Sequence, residues 1–337
     1  MPDQHRQRCI AVLGPGRCGT STIARGLISL DIAFGHRLKP AARKNPRGFF
    51  EDLDLLDINY RAHEALGLRR NGASVGWITQ ESWEQADLDP LVERAARLIR
   101  QRFGSAAIWG CKIGGMMRIL PFWERVFAET GQDVAYVLAI RHPASVARSR
   151  AKLDPHRAIQ EKSDLEFAAQ ILPFFAEMTR HPNIVVDYDR VMDDPDGEMR
   201  RIADYFELPI TPSVETGLRA YAGEFVNAGF RHNQVDDQRG PVSLLTWRLY
   251  RALLTLAHDQ VVSADAEIAE MRREFAAMAP ALALIDRLEG RLRGKWPSLG
   301  SMFLAATSHL PTRTTLRDTV ALAGALKRSQ PRHETRA

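Results

Sequence analysis

The 337-residue sequence has little cysteine, no long apolar run and no marked excess of either charge. Its three cysteines, Cys9, Cys18 and Cys111, form no C-x-x-C pair and no metal-ligand spacing. That excludes a disulfide framework and a zinc module as readings of the sequence. The first apolar stretch, Cys9-Ile10-Ala11-Val12-Leu13, is interrupted by Gly14 and is too short for a secretion signal. No window approaches the roughly 18 apolar residues of a membrane span. A cytoplasmic protein is therefore expected. The 46 Lys and Arg residues are interspersed with 41 Asp and Glu, a net charge of +5. Nucleic-acid binders concentrate their basic residues in stripes, so a small anionic ligand accounts better for this mild excess. With 45% apolar and 26% charged residues the chain is ordinary for a globular protein, and long enough for one large α/β domain or two small ones.

Hydrophobic patterning fills in the organisation. Continuous apolar runs at Cys9–Leu13, Ala107–Lys112, Val134–Ile140 and Asn183–Asp187 read as strands covered on both faces. Helical periodicity is expected over Thr20–Leu30, Leu53–Leu66, Asp89–Phe103, Leu120–Glu129, Asp164–Arg180 and Asp196–Phe206. Pro143 suits the first turn of a further helix. Residues 35–50 are basic and broken by Pro40, Pro46 and Gly48, as a loop would be. Strands separated by helices imply right-handed βαβ units and a parallel sheet. Beyond about residue 240 the pattern is helical only: Leu244–Ala257, Ala264–Met278, Ala281–Leu292 and a short candidate around Leu316–Leu326 in a basic tail.

Gly14-Pro15-Gly16-Arg17-Cys18-Gly19-Thr20-Ser21 lies between the first strand and the first helix. Glycines there let backbone N–H groups turn inward around an anion, and the helix N-terminus adds partial positive charge. The Gly14-to-Gly19 spacing is that of the nucleoside-triphosphate loop, but Thr20 stands where its phosphate-reaching lysine belongs. The positive charge sits inside the loop, at Arg17. A loop for ATP needs the lysine and a hydroxyl that helps hold magnesium. An internal arginine followed by Gly19-Thr20-Ser21 suits one 5′-phosphate and the bridging oxygen of a phosphosulfate, with no metal. The bland alternative is a glycine-rich turn. A second constellation follows the strand ending at Ile140: Arg141-His142-Pro143, with Ser149 two helical turns on. Arg141 is placed at the carboxyl end of a parallel strand, where open α/β sheets bind ligands, and the pair offers a charge and a hydroxyl to a second phosphate.

Arg17–Ser21 together with Arg141 and Ser149 resembles the paired 5′-phosphosulfate and 3′-phosphate motifs of sulfotransferases that use 3′-phosphoadenosine 5′-phosphosulfate (PAPS). The stretch Val186-Asp187-Tyr188 to Pro195, with a helix ending Tyr205-Phe206-Glu207-Leu208-Pro209, is similar to the family's Tyr-Glu-Asp-Leu segment, whose tyrosine lies near the adenine. Asn45-Pro46-Arg47-Gly48-Phe49-Phe50-Glu51 and Phe230-Arg231-His232-Asn233 are similar to bacterial members, many of which act on carbohydrate or lipid hydroxyls. The resemblance covers about residues 8–210 and, more weakly, continues to 260.

The resemblance implies a three-layer, P-loop NTPase-like α/β fold, its central parallel sheet flanked by helices, with a helical C-terminal extension. The expected division is an α/β domain over 1–260, helices packed on it over 261–310 and a basic tail over 311–337. PAPS is the implied co-substrate, and no metal is implied. Gly16, Arg17, Cys18, Gly19, Thr20 and Ser21 would take the 5′ side, Arg141 and Ser149 the 3′-phosphate, and Tyr188 and Arg231 the rest of the nucleotide. Arg17 would stabilise the leaving oxygen, its fork of donors suiting that better than a point charge.

Cytosolic members use a histidine shortly after a strand-end lysine, but Lys112-Ile113-Gly114-Gly115 contains none. Glu51 is the implied general base, with His36 and Asp52 as rivals, and Phe49 and Phe50 beside it are expected to raise its pKa. Its bland reading is a charge at the start of the helix beginning at Leu53. Lys112 is expected to contact the transferring group, or otherwise to be a snorkelling strand-end lysine. His232 reads as a surface or packing residue. Cys18 replaces the family's usual serine, bonds more weakly and is expected to be open to oxidation.

Trp77, Trp83, Trp109 and Trp123 are assigned to the core or to the acceptor cleft. That cleft is expected from segments 60–105 and 210–240, where Trp77, Trp83, Tyr221 and Phe225 suit a sugar face or a lipid equally. The acceptor would be a carbohydrate, a glycolipid or another small metabolite. No nucleic-acid partner is expected, peripheral membrane contact stays open, and the oligomeric state is not indicated. Two other readings remain: a P-loop kinase acting on a small molecule or nucleotide, and a nucleotide-binding protein without catalysis.

Overall fold

The computed structural model describes residues 7–42, 45–70, 73–153, 159–226, 238–260 and 264–295. The four apolar runs become strands β1 (Arg8–Leu13), β2 (Ile108–Lys112), β3 (Asp133–Ile140) and β4 (Asn183–Asp187). They form one parallel sheet in the order β2-β1-β3-β4. In register, Ala11 of β1 is paired with Cys111 on one side and Tyr136 on the other, and Leu138 of β3 with Val185 of β4. The interior strand β3 is buried from Val134 to Ile140, which is why its sequence is continuously apolar rather than alternating. The chain leaves β1 toward β2 on one side and later returns to β3 on the other. This opens a crevice between the carboxyl ends of β1 and β3, the switch point where such sheets bind ligands.

Between the strands run α1 (Thr20–Ser29), α2 (Leu53–Ala65), α3 (Gln80–Gln85), α4 (Asp89–Phe103) and α5 (Leu120–Glu129). Then follow α6 (Pro143–Ala151), α7 (Gln160–Ile171), α8 (Phe175–Met178), α9 (Tyr188–Asp193), α10 (Pro195–Tyr205) and α11 (Pro212–Ala220). The single helix expected over Asp164–Arg180 is instead two. Pro173, which has no N–H to donate, falls in a 3-10 turn over Leu172–Phe174 that separates α7 from α8. Trp109 stacks on Phe103 of α4 at 4.2 Å between ring centroids, and Trp123 of α5 donates to Asn59 Oδ1 of α2 at 3.0 Å. Both tryptophans are fully buried core residues. Trp77 packs on Phe275 and Trp83 on Phe174.

Helices α12 (Leu244–Ala257), α13 (Asp265–Ala277) and α14 (Ala279–Lys295) complete the described chain. Phe275 of α13 covers Trp77, and Asp286 of α14 reaches back to the segment before α3. Its carboxylate accepts from the N–H groups of Val75 (3.1 Å) and Gly76 (2.8 Å) and pairs with Arg69. Glu289, one turn on, pairs with Arg69 and Lys162. Replacing Asp286 leaves those backbone donors without their acceptor, and such losses cost about 1–3 kcal/mol. Asp286→Ala is thus expected to lower the unfolding free energy by about that amount in a urea titration. An unchanged midpoint would mean that α14 contributes no stability through this contact.

Candidate active site

The loop after β1 has its shape from two left-handed residues. Gly19 sits at φ 83° as the N-cap of α1, and a Cβ there would run into the ring of Tyr188, so the close approach of loop and tyrosine requires glycine. Arg17 is at φ 80°, a conformation that costs a non-glycine residue energy and is kept where the surroundings impose it. Gly19 contributes no side chain to cap α1; the Thr22 and Ile23 N–H groups donate back to the Gly19 carbonyl at 2.8 and 3.1 Å, so no side chain occupies the earlier N–H groups of the helix start. Arg17 Nε donates to Ser149 Oγ of α6 at 2.9 Å, so two of the expected site residues touch. Thr20 and Ser21 open α1 and are partly accessible.

Arg141 follows β3 directly and is buried. Its guanidinium lies over the Tyr188 ring at 4.4 Å, and its Nε and Nη2 have no hydrogen-bond partner among the described residues. Beneath it, Cys18 is fully buried. Burial pushes its thiol up to about 12 despite the nearby Arg150 and Arg141 charges, so the expected sensitivity to oxidation is not supported: oxidation requires thiolate character and access. Arg150, on α6 beside Ser149, pairs with Glu166 of α7 at 3.1 Å and reaches the Gly16 carbonyl at 3.4 Å. It braces the loop from below. Asp187 caps α9 and is pushed up to about 7, first by burial and then by Asp189.

A second cluster adjoins the loop. Ser21 Oγ accepts from Asn45 Nδ2 (3.1 Å) and donates to the Phe49 carbonyl (3.4 Å). Two residues on, Glu51 accepts from Lys112 Nζ at 2.7 Å and from the Gly114 N–H at 3.1 Å, with Lys39 Nζ 3.5 Å from its other oxygen. Burial alone would raise the Glu51 pKa, but the charges and hydrogen bonds of Lys112 and Lys39 outweigh it and hold the carboxyl below its usual range. The rise expected from Phe49 and Phe50 is thus reversed. Phe50, at φ 53°, makes the turn that sends Glu51 inward.

The rivals to Glu51 are placed differently. Asp52 caps α2 through the Asp54 and Leu55 N–H groups and pairs with Arg102. His36 is exposed. Tyr221 is buried and donates to the Thr22 carbonyl at 3.2 Å, so it is core rather than cleft wall. Phe225 closes a π turn over Tyr221–Phe225, its ring set between Arg25 and Arg47. Arg231 and His232 lie outside the described residues, as does the tail from residue 296.

Lys39 and Asn45 were not anticipated as site residues. They arrive because residues 38–42 and 45–52 run back along each other: Leu38 bridges Asp52, and the Lys39 N–H donates to the Glu51 carbonyl at 2.7 Å. The sequence signals were the prolines flanking the turn, Pro40 and Pro46, and the likeness of Asn45–Glu51 to bacterial members.

No protein-family model matches the chain, and no curated protein matches it. Among solved structures it is similar to the sulfotransferase domain from the curacin biosynthetic pathway, with 15% identity, 74% of this chain and 98% of that one covered, and a TM-score of 0.42. It is also similar to sulfotransferase STF9 from Mycobacterium avium, with 16% identity, 68% and 69% covered, and a TM-score of 0.41. Sulfotransferase STF1 from Mycobacterium tuberculosis H37Rv gives 17% identity, 66% and 74% covered, and a TM-score of 0.39. Likenesses of this degree leave the reading of the site to its own side chains.

The Glu51 cluster has a pH signature. A carboxyl whose pKa is lowered on folding adds stability that is complete above its unfolded value and is lost as pH falls through the folded one. Glu51→Gln removes that contribution and leaves Lys112 buried without its counter-charge, a loss of about 3 kcal/mol for a broken buried pair. The gap between wild type and variant is therefore expected to be flat above pH 5 and to shrink below the usual carboxyl value near 4.5. Unfolding curves at several pH values check this, and a gap that widens in acid would contradict it.

Proposed function

We propose that the protein is a sulfotransferase that moves a sulfuryl group from PAPS to an acceptor hydroxyl. The observation that carries this reading is Arg141, a buried guanidinium at the end of β3 with two unpartnered donors. Leaving charged donors unpaired in an interior costs several kcal/mol, and proteins retain such groups where a ligand completes them. The missing partner of an arginine is an anion. A second anion site is supported by the uncapped start of α1 with Arg17 beside it. Two separate anion sites with Tyr188 touching both Arg141 and Gly19 suit a nucleotide phosphorylated at two positions. Thr20 in place of lysine argues against a nucleoside triphosphate.

PAPS supplies the sulfuryl group: the acceptor oxygen bonds to sulfur as the bond from sulfur to the 5′-phosphate oxygen breaks. Around that exchange the chain's own groups divide the work. Thr20, Ser21 and the loop from Gly16 to Gly19 hold the 5′-phosphate, Arg141 and Ser149 hold the 3′-phosphate, and Tyr188 packs on the nucleotide between them. Arg17 neutralises charge on the departing oxygen, the kind of stabilisation worth about 10²-fold or more in rate. Glu51 accepts the acceptor's proton. The two lysines keep it ionised at neutral pH, which makes it a ready though not a strong base. Lys112, oriented by Glu51, presents its ammonium to the transferring group.

Binding and turnover test this separately. Arg141→Ala is expected to weaken adenosine 3′,5′-bisphosphate at least about tenfold, the scale of a lost charge-assisted hydrogen bond, while AMP affinity barely changes. Equal losses for both nucleotides would mean that Arg141 is structural. Arg17→Ala should drop turnover with labelled PAPS by about 10²-fold or more, and wild-type activity should persist in excess EDTA. Activity that requires added magnesium, with ATP stabilising the protein more than the bisphosphate does, would favour the kinase reading.

A further inference from the structure

Beside the Glu51 cluster lies a groove of about 360 Å³, between the folded-back segment after Lys39 and the first two turns of α2. That volume is within the range of small-molecule sites. Its lining residues run from Lys39 to Tyr60 and meet the segments expected to line the acceptor cleft only at residue 60. Its walls are apolar: Pro40, Ala42, Phe49, Leu53, Leu56 and the ring of Tyr60. Leu53 is 38% exposed, a large apolar side chain facing solvent at the first position of a helix.

The groove shares two of its residues with the reacting groups. Phe49 accepts from Ser21 of the phosphate loop through its carbonyl, and Lys39 stands 3.5 Å from Glu51. Among the described residues its other polar groups are few and mostly engaged. Asp57 is paired with Arg61 at 2.9 Å and Arg94 at 3.3 Å. The Lys39 ammonium lies over the Phe49 ring at 4.6 Å. The Tyr60 hydroxyl is pushed up to about 12, first by burial and then by the Glu51 charge, so it stays protonated and can donate to one oxygen.

We infer that the acceptor is a neutral compound carrying one hydroxyl on an apolar body, seated in this groove with its oxygen toward Lys39 and Glu51. The inference rests on the sulfuryl-transfer reading above and narrows its acceptor. A sugar would bring several hydroxyls into a lining whose described residues offer one or two available partners, and each buried hydroxyl left unpaired costs more than its contacts return. An apolar body gains by covering the Leu53 and Leu56 side chains instead.

The test uses the full chain with 2-naphthol and 1-decanol as apolar probes and methyl glucoside and cellobiose as sugar probes. Adenosine 3′,5′-bisphosphate is titrated first, then each probe in its presence, and the same compounds are offered with labelled PAPS. The apolar alcohols are expected to bind and to be sulfated, and the sugars are not. Leu53→Glu, at a half-exposed first-turn position where an acid suits the helix, should weaken 2-naphthol at least about tenfold and leave bisphosphate affinity unchanged. Ala42→Phe, which fills the groove without adding charge, should do the same. Sulfated sugars with untouched apolar alcohols, or 2-naphthol binding indifferent to both variants, would overturn the inference while bisphosphate binding left the transfer reading standing. Failure to bind the bisphosphate at all would instead remove the transfer reading, and the acceptor with it.

Discussion

The ion pair between Lys112 and Glu51 ties the segment that packs on Ser21, after β1, to the end of a sheet strand. Both partners are buried, and a charge in that position without its partner is costly enough to move a whole segment. Meeting that demand draws Glu51 inward past Phe50, brings the Gly114 N–H onto the same oxygen, and carries Lys39 along through the Leu38–Asp52 bridge. The groove beside α2 exists because this segment returns on itself. Phe49, bonded to Ser21 and lining the groove, connects the loop after β1 with the groove beside α2.

The buried arginines divide by the company they keep. Arg118 donates through both terminal nitrogens to the carbonyls of Ala169 and Gly76. Arg150 is held by Glu166 and Ser163, and Arg102 by Asp52 and Asp54. These guanidiniums serve the fold, linking elements whose backbone acceptors would otherwise be stranded. Arg141 has the face of Tyr188 and two donors without acceptors. Among the described residues Arg118 and Arg150 each leave only Nε without a hydrogen-bond partner, against two nitrogens of Arg141.

Of the five non-glycine residues with left-handed backbone among the described residues, two lie at the candidate site. Left-handed backbone occurs at Arg17 in the loop and at Phe50 beside Glu51, each next to a group assigned a part in transfer. A relaxed backbone at either point would aim the neighbouring charge elsewhere. The stability of the sheet and of the helices around it is what holds such conformations in place.

Much of this was legible in the residues. The continuous apolar runs required a parallel sheet covered on both faces, and the glycine spacing around Arg17 placed a loop at a strand-to-helix junction. Arg141 was placed at a strand's carboxyl end by its position after Ile140. These are local patterns, decided by the period of side chains along one element and by the conformational freedom of glycine and proline. Pro173 was equally local, and it broke a helix that periodicity alone had run together.

What only the tertiary structure decided is which distant charges meet. Glu51 lies 61 residues from Lys112, and no spacing rule along the chain connects them. Two lysines beside Glu51 reverse the sign of the pKa shift that its aromatic neighbours implied, and full burial turns Cys18 from a reactive thiol into a packed one. Electrostatic energies depend on separation and burial in space. A sequence shows which residues carry charge, but the fold alone sets the distances at which they act.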